Sequence, residues 1–311
     1  NQTINKWDRS DLGNGRSFVK LAQAVNYYYD SQLSHKDKAS TYSYDSYGNV
    51  SSEINYGEVT GTDSGTFTDV GSDKITTNTS WTSNTTDYIL GLPYQITKLD
   101  SGDNQIWLQK IYYDNQSLGI VTDGNQTKEE RWITGSTYIN AQKGYNSYGN
   151  VMSETNERNY STTIAYDSNY FYPTTITNAK NQSTSVSYSI VFGKLLSKTD
   201  SNTFKTQYTY DSFGRLTKVE VPDLTTTSTL RTQTENIYTD SGMTRKVQTK
   251  NYVDTTNYVD SYTYYDGFKR KIQTRDQAET TNQFNVKDFS YNGRSEIVNE
   301  YLPFFATSAT Y

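Results

Sequence analysis

The sequence predicts an all-β protein built from repeated antiparallel β-hairpins, and three observations support this prediction. First, a short motif of alternating tyrosines, a turn-forming aspartate and a glycine recurs along the chain. Second, tyrosine supplies 30 of the 311 residues and threonine is also abundant, and both residue types favour strands. Third, the chain has only 4 prolines, which suits a sheet because proline removes a hydrogen bond from the strand ladder.

The fullest copy of the motif reads Tyr-Thr-Tyr-Asp-Ser-Phe-Gly-Arg-Leu and begins at Tyr208. Tyr208 and Tyr210 are two positions apart, so both rings project from one face of an extended strand. Asp211 is suited to open a tight turn, because its carboxylate can accept hydrogen bonds from backbone amides two residues further on. Gly214 occupies the place where a type I turn is followed by a residue of positive φ. Arg215 then begins a returning strand, which completes a hairpin.

Looser copies of the motif recur on both sides of this one. Their tyrosine, aspartate and glycine positions are Tyr44, Asp45, Gly48, Tyr145, Gly149, Tyr166, Asp167, Gly193, Tyr238, Gly242, Tyr265, Asp266, Tyr291 and Gly293. In the copy that opens at Tyr166, Asn169 is the predicted left-handed residue. A repeat period of roughly 20 to 30 residues is typical of units that cannot bury their own face and must stack on their neighbours.

The composition favours an ordered sheet over a disordered chain. Tyrosine makes up a large share of the 33% of hydrophobic residues, so the aliphatic content is low. Low aliphatic content indicates disorder when the net charge is high, but here the net charge is only -5. The mild, mixed charge also argues against duplex nucleic acid as a partner. No apolar run approaches the roughly 20 residues needed to cross a bilayer.

Three regions are predicted along the chain. Residues 1–41 form a lead-in, residues 42–144 an irregular hairpin region with degenerate repeats, and residues 145–311 the regular repeats. Within the lead-in, residues 16–29 are predicted to form a helix. The apolar positions that show helical spacing are Phe18, Leu21, Ala22, Val25 and Tyr29. The repeat pattern is already under way at both ends, so we expect a piece of a longer polypeptide, whose remainder is its first partner.

The segment from Tyr210 to Leu216 resembles the RHS/YD-repeat family, and the resemblance covers the chain from about Tyr42 onward. The segment 265–274, with 301–305 after it, resembles the toxin-complex B and virulence-plasmid B branch of bacteria. That branch has glycine where this chain has Lys269, so we expect this turn to close differently. The resemblance implies a long, spiralling β-sheet that forms a hollow shell. In bacterial members the shell encloses a toxic segment, and in animal teneurins it serves cell-surface adhesion.

No motif in the sequence assigns a catalytic, cofactor-binding or metal-binding residue. The absence of cysteine excludes disulfides, thiolate nucleophiles and cysteine-bound zinc. The single histidine, His35, lies in a charged connection and is expected to be exposed to solvent. Asp63, Asp69 and Asp73 lie near glycines and could bind calcium, although the spacing of an EF-hand is absent. The repeated aspartates could form a carboxylate array, but hairpin turns explain their regular place after each tyrosine.

The preferred functional hypothesis is a non-catalytic section of a shell that encloses or presents a toxin or other polypeptide. The resemblance then implies a secreted or cell-surface bacterial protein. An alternative is a recognition module that binds a glycan or a receptor through exposed tyrosine and tryptophan rings. A remote alternative is a glycosidase, which requires two carboxyl groups roughly 5 to 10 Å apart in one cleft. No cofactor is expected under any of these hypotheses.

Replacing Gly214 by valine should disrupt its hairpin, because a β-branched residue resists positive φ. We expect the Gly214→Val variant to unfold at a lower temperature than the parent protein in thermal denaturation followed by circular dichroism. An unchanged melting temperature would contradict the turn assignment.

Overall fold

The computed structural model describes residues 2–29, 35–223, 225–241, 245–280 and 282–311. These residues form 24 β-strands and no helix, and every strand pairing among them is antiparallel. The all-β prediction is therefore confirmed. Within the same residues, no helix has the length and apolar character needed to cross a membrane. The chain divides into two compact units, Asn1–Thr163 and Ile164–Tyr311.

The first unit is a meander in which successive strands form hairpins. Its strands are β1 (Gln2–Gly13), β2 (Arg16–Tyr29), β3 (His35–Tyr44), β4 (Val50–Gly61), β5 (Phe67–Asp69), β6 (Ile75–Trp81), β7 (Pro93–Leu99), β8 (Gln105–Tyr113), β9 (Gln126–Thr134), β10 (Thr137–Tyr145) and β11 (Val151–Thr155). Each strand pairs with the next, except that β5 pairs only with the end of β4, which leaves β4 to pair directly with β6.

The second unit continues the same hairpin plan. Its strands are β13 (Pro173–Thr177), β14 (Ser183–Tyr188), β15 (Leu195–Thr199), β16 (Lys205–Tyr210), β17 (Leu216–Pro222), β18 (Leu230–Thr239), β19 (Arg245–Tyr252), β20 (Tyr258–Tyr265), β21 (Lys271–Gln277), β22 (Phe284–Tyr291), β23 (Ile297–Glu300) and β24 (Phe304–Ala306), whereas β12 (Ser161–Tyr166) contains residues of both units. At its end, β22 pairs with β21 on one side and with both β23 and β24 on the other.

The predicted helix over residues 16–29 is wrong, because Arg16–Tyr29 is strand β2. The same residues also show a period of two, in which Val25 and Tyr27 share one face and are buried. Neighbouring strands β1 and β3 supply hydrogen-bonded ladders on both sides of β2. The sequence of these residues is compatible with both a helical period and a period of two. The ladders decide for the strand, and valine and tyrosine are residue types that suit one.

Buried side chains form small clusters within each unit rather than one large core. The clusters of the first unit contain Val25, Tyr27, Ala39 and Val59, and Ile111, Tyr113 and Val121. The cluster of the second unit contains Tyr262, Tyr264, Phe284 and Val286. Tyrosine takes part in all three of these clusters, as the composition predicts for a sheet with little aliphatic content.

The single histidine is half-buried rather than exposed. His35 begins β3, its ring lies edge-on to the rings of Tyr27 and Tyr29, and its Nδ1 pairs with the carboxylate of Asp37. Asp37 is itself buried and accepts a hydrogen bond from the backbone N–H of Gly61 at 2.7 Å. The charged connection predicted around His35 is thus partly a strand, and residues 30–34 lie outside the described part of the chain.

A shift of strand register falls at the marker tyrosine of six hairpins, whereas Tyr238 pairs without a shift. The shifts occur at Tyr44, Tyr145, Tyr188, Tyr210, Tyr265 and Tyr291. Such a shift is what a type I turn followed by a left-handed residue produces, because the extra residue forms a bulge next to the turn.

The left-handed position of these turns is filled by glycine in some copies and by larger residues in others. Gly214 has a φ of 73°. In the copy that opens at Tyr166, the left-handed residue is Tyr170 rather than Asn169. Lys269 takes a φ of 62°, so its turn closes in the same way as the others, contrary to expectation. Gly242 lies outside the described residues.

Replacing Lys269 by glycine should stabilise the protein, because the left-handed conformation strains a residue with a Cβ atom. We expect the Lys269→Gly variant to gain about 1 kcal/mol in free energy of unfolding, measured by denaturant titration. The matched control is Lys271→Gly, two residues further on at the start of β21, which should lose stability because glycine weakens a strand. Equal losses in both variants would contradict the strain at Lys269.

Candidate functional site: the tyrosine-aspartate turns

Asp211 organises its turn through both carboxylate oxygens. Its Oδ1 accepts hydrogen bonds from the backbone N–H groups of Phe213 at 2.9 Å and Arg215 at 2.8 Å. The backbone closes the same turn, since the N–H of Gly214 donates to the carbonyl oxygen of Asp211 at 2.9 Å. The carboxylate thus satisfies amides that the strand ladder does not reach.

The same two hydrogen bonds recur in the other turns of this type. The first residue of the turn accepts them through a side-chain oxygen at Asp45, Asn146, Asp266 and Asn292. Asparagine supplies the same acceptor oxygen as aspartate, so the two backbone hydrogen bonds of the turn form without a charge. The aspartates at these positions are engaged in turn geometry.

Turns with the same side-chain hydrogen bonds also lie at the strand ends away from the tyrosine-marked turns. The tyrosine motif does not predict them. They begin at Asp100, Asn156, Asn178 and Asp200. No tyrosine marks them, and their left-handed residues are Asp103, Asn159, Asn181 and Thr203. A usable signal was present, because Asn156, Asp167, Asn178, Asp200 and Asp211 follow one another in steps of about eleven residues or twice that number.

The hydroxyls of five tyrosines that directly precede a turn tie that turn to the preceding one at the same end of the strands. Tyr210 Oη donates to the carbonyl oxygen of Leu195 at 2.8 Å, and Tyr238 Oη donates to that of Leu216 at 2.9 Å. Each acceptor is the first residue of the strand that precedes the tyrosine's own strand. The same relation holds for Tyr113 with Pro93, Tyr145 with Gln126 and Tyr291 with Lys271. We call these contacts the tyrosine ties.

Burial raises the pKa of two tyrosines that form these ties, Tyr210 and Tyr238. Desolvation raises the pKa of Tyr210 above its ordinary value, and the neighbouring Tyr208 adds to the effect. Desolvation likewise raises the pKa of Tyr238, although the charge of Arg215 acts in the opposite direction. A phenol with a raised pKa remains a hydrogen-bond donor throughout the physiological range of pH.

In three of the turns, a cation after the left-handed residue extends the turn towards the next one. Arg215 Nε donates to Asp211 Oδ2 at 2.7 Å, and its Nη1 donates to Asp240 Oδ2 at 2.8 Å. Its guanidinium also lies over the ring of Tyr238, at 4.2 Å from the centroid. One side chain therefore contacts its own turn, the next marker tyrosine and the next turn.

The same arrangement of cation and ring recurs at two further turns. Arg270 pairs with Asp266 and lies 4.9 Å from the centroid of the Tyr291 ring. Lys194 donates to the carbonyl oxygen of Gly214 and lies 5.4 Å from the centroid of the Tyr210 ring. These contacts run along the same end of the strands as the tyrosine ties.

Gly214 is required for a second reason besides its positive φ. A Cβ atom at this position would lie only 3.0 Å from a ring carbon of Phe192, the aromatic residue of the preceding turn. The ring of one turn thus packs directly on the backbone of the next. By contrast, a Cβ atom at Gly267 would meet no atom within 4 Å.

The charge on Asp211 is stabilised by its turn. Desolvation acts to raise its pKa, but the hydrogen bonds from the backbone and side chain of Arg215 and from the backbone of Phe213 outweigh it. The pKa of Asp211 is therefore lower than that of an ordinary aspartate. The pKa of Asp266 is lowered by the equivalent contacts with Arg270 and Phe268, again against desolvation.

Aromatic rings at the tips of the turns point into solvent. Phe213 and Phe268 are both 79% exposed, and Tyr148 is 71% exposed. A groove of about 650 Å³ lies between the turns that carry Phe213 and Phe268. The charged residues of its lining are Arg215, Asp240, Arg245, Lys246 and Lys269, so cations outnumber the single carboxylate.

The described residues contain no group of three or more histidine, aspartate or glutamate side chains placed to hold a metal ion. Of the three aspartates considered for calcium, Asp69 ends β5 and Asp73 Oδ2 accepts the backbone N–H of Glu58 at 3.0 Å. Asp63 lies within the turn that the backbone N–H of Gly65 closes on the carbonyl oxygen of Thr62.

Comparisons with known proteins agree with this geometry. Residues 191–226, which include the Asp211 turn, match the family model of the RHS repeat. The sequence matches no curated protein significantly. The resemblance to RHS/YD repeats that the motif shows is thereby confirmed.

Three solved structures resemble this chain along nearly its whole length. Against the crystal structure of TcdB2-TccC3, the identity is 14% and the TM-score 0.67, covering 97% of this chain and 22% of that one. Against TcdB2-TccC3-Cdc42, the identity is 12% and the TM-score 0.69, covering 97% of this chain and 24% of that one. Against TcdB2-TccC3 without its hypervariable C-terminal region, the identity is 12% and the TM-score 0.68, covering 98% of this chain and 24% of that one. The chain thus has the same fold and spans less than a quarter of the length of these structures.

The tyrosine tie at Tyr210 should contribute about 1 kcal/mol to stability, because its loss leaves the carbonyl oxygen of Leu195 without this donor. We expect Tyr210→Phe to lower the free energy of unfolding by that amount in denaturant titration. The matched control is Tyr208→Phe on the same strand, since no hydrogen bond of the Tyr208 hydroxyl is seen among the described residues. Equal effects of the two substitutions would refute the tie.

The lowered pKa of Asp211 predicts a pH-dependent contribution to stability. This contribution is present above the pKa of unfolded aspartate, about 3.9, and is lost as pH falls through the lower folded pKa. Asp211→Asn keeps an acceptor for the turn but cannot titrate. We therefore expect the parent protein to be more stable than Asp211→Asn at neutral pH and the difference to shrink in acid. A difference that stays constant from pH 7 to strongly acidic solution, measured by denaturant titration, would count against the assigned pKa.

Proposed function

We propose that this chain, whose residues 191–226 match the RHS repeat and whose fold resembles the TcdB2-TccC3 structures, is a structural section of a β-sheet wall that encloses or presents another polypeptide. The observation that carries this proposal is the series of tyrosine ties. They join each turn to the one before it through a backbone carbonyl, so the contact can recur whatever residue supplies the acceptor. Such a joint allows a wall to be extended by adding hairpins.

The wall acts without catalysing a reaction. The aspartates that recur in the motif are engaged by backbone amides of their own turns, and two of them also by arginine. The marker hydroxyls are engaged by carbonyl oxygens. A group that is held in this way supports the neighbouring turn and is not available to a substrate.

The enclosed polypeptide is proposed to be a toxin or another segment of a longer chain, in a protein secreted by or displayed on a bacterium. The fold likeness to the TcdB2-TccC3 structures, together with the resemblance of residues 265–274 to toxin-complex B proteins, supports this proposal. Its physical logic is that a continuous sheet excludes solvent and proteases from the segment behind it. The remainder of the longer polypeptide is the first partner.

Electron microscopy of the longest natural polypeptide that contains these repeats tests the proposal. The expected result is a hollow wall with protein density inside. A solid particle, or an open sheet with no enclosed density, would refute enclosure.

Limited proteolysis of the same polypeptide provides a second measurement. In the parent protein the enclosed segment should resist cleavage. A variant with Tyr210→Phe, Tyr238→Phe and Tyr291→Phe should expose it faster, because three ties are removed, whereas Tyr208→Phe should leave the rate unchanged. Cleavage of the segment at the same rate in all variants would show that the wall does not protect it.

A recognition module is the second candidate function, and the exposed aromatic rings at the tips of the turns favour it. Phe213 lines a groove that cations dominate, and Phe268 precedes Lys269 of the same lining. Exposed rings of this kind can stack on sugar faces or on a protein partner. For this candidate, Phe213→Ala with Phe268→Ala should abolish binding in a screen of glycans and surface proteins while leaving stability unchanged. The control is Phe204→Ala, which removes an exposed ring from a turn at the opposite end of the strands. Equal binding by both variants would exclude the tips as the recognition surface.

A further inference from the structure

The groove of about 650 Å³ in the second unit is a local exception to the acidic character of the chain. The chain carries a net charge of -5, whereas four cations and a single carboxylate line this groove. Arg215 already pairs with that carboxylate, and Lys246 lies 5.6 Å from the centroid of the Tyr262 ring. Arg245 and Lys269 are exposed, and their side chains form no ion pair or hydrogen bond within the described part of the chain. These two positive charges of the groove can therefore meet an external anion.

Backbone strain at Lys269 is a second, independent observation about this groove. Lys269 has a φ of 62°, whereas glycine fills the corresponding position in the turns of Gly48, Gly149 and Gly214. A residue with a Cβ atom is strained there, and strain of this kind tends to be kept where function offsets its cost. Replacement by glycine would relieve the strain and remove one of the two unpaired cations of the groove.

The floor of the groove combines an apolar surface with a hydrogen-bond donor. Tyr238 lies opposite Val247 and Arg245 lies opposite Tyr265, and all four residues line the groove. Arg245 and Val247 are two positions apart on β19, so the four side chains share one face of the sheet. The Tyr238 hydroxyl is engaged in its tie, whereas no hydrogen bond of the Tyr265 hydroxyl is seen among the described residues. Tyr265 is therefore able to donate to a ligand.

This combination of groups favours a peptide over a sugar. A guanidinium, an ammonium and a phenol all donate to a carboxylate, and an apolar floor accepts an aliphatic side chain next to it. Stacking of a sugar needs the open face of an aromatic ring. One face of each candidate ring is already covered, because the Arg215 guanidinium lies 5.3 Å from the centroid of Phe213 and 4.2 Å from that of Tyr238.

We propose that this groove binds an acidic peptide segment, whose carboxylates pair with Arg245 and Lys269 and whose apolar side chain packs on Val247. The Tyr265 hydroxyl donates to one of the carboxylates. The charges select the partner, and the apolar floor adds contact area. This inference rests on the recognition function, for which it names the class of partner, and it is independent of whether the wall encloses another polypeptide.

Fluorescence anisotropy with a labelled peptide in which glutamate and leucine alternate tests the proposal. The chain should bind this peptide saturably and more weakly as salt is added, whereas a peptide with glutamine in place of glutamate should not bind. Arg245→Gln and Lys269→Gln should each weaken binding about tenfold, because each removes a charge-assisted hydrogen bond. The matched control is Lys180→Gln, which removes an exposed lysine from the turn that begins at Asn178 and should leave binding unchanged.

Two further variants separate binding from folding. Lys269→Gly should weaken binding as much as Lys269→Gln does and yet unfold at a higher denaturant concentration than the parent protein, because it relieves the strained turn. Loss of binding in this variant therefore cannot come from unfolding. Tyr265→Phe should weaken binding severalfold with little change in stability, because its hydroxyl forms no tie.

The outcomes distinguish this inference from the function on which it rests. Equal binding of the acidic peptide by the parent, Arg245→Gln and Lys269→Gln would overturn the groove as its site. Binding of an acidic polysaccharide such as polygalacturonate, without binding of the peptide, would overturn the peptide as partner and leave the recognition function standing. Absence of binding to either probe, together with a negative screen of glycans and surface proteins, would overturn both.

Discussion

The hydrogen bond from a turn tyrosine to a carbonyl oxygen at the start of the preceding strand is the contact on which the joint between turns depends. The ladder between β15 and β16 ends at Ser197, so the carbonyl oxygen of Leu195 lies beyond that ladder. The tyrosine fills this gap with one side chain that also buries its ring. Because the acceptor is backbone, Leu195, Leu216 and Lys271 serve equally well. The repeat can therefore drift in sequence while the joint between turns remains.

The cations and rings add a second layer of contact along the same end of the strands. Arg215 and its ion pairs are partly exposed, and such pairs contribute little one at a time. Their geometry is nevertheless repeated, since Lys194, Arg215 and Arg270 each lie over the next marker tyrosine. The ring is held from one side by its hydroxyl and from its face by a cation. This makes each turn a template for the position of the next, which suits the proposed role in a wall.

Two errors of the sequence analysis have a common physical cause. Residues 16–29 carry both a helical period and a period of two, and local propensity favours neither strongly. The ladders with β1 and β3 decide for the strand, and they involve residues distant in sequence. At Lys269, the Asp266 cap and the Arg270 contacts stabilise the turn although a residue with a Cβ atom is strained at positive φ. Contacts of the folded chain thus decide between two local patterns at residues 16–29 and override the preference of the residue at Lys269.

The hairpins that close at the tyrosine-marked turns were determined by the sequence alone, because their signals are local. A tyrosine pair, an Asp or Asn cap and a left-handed residue lie within about eight positions of each other, and short-range sterics and hydrogen bonding are sufficient to predict the turn. The partners of the tyrosine hydroxyls and the packing of Phe192 on Gly214 were decided only in the tertiary structure. These features join residues from different hairpins. Any residue type can supply a backbone carbonyl oxygen, so the sequence does not show which residue accepts the hydrogen bond.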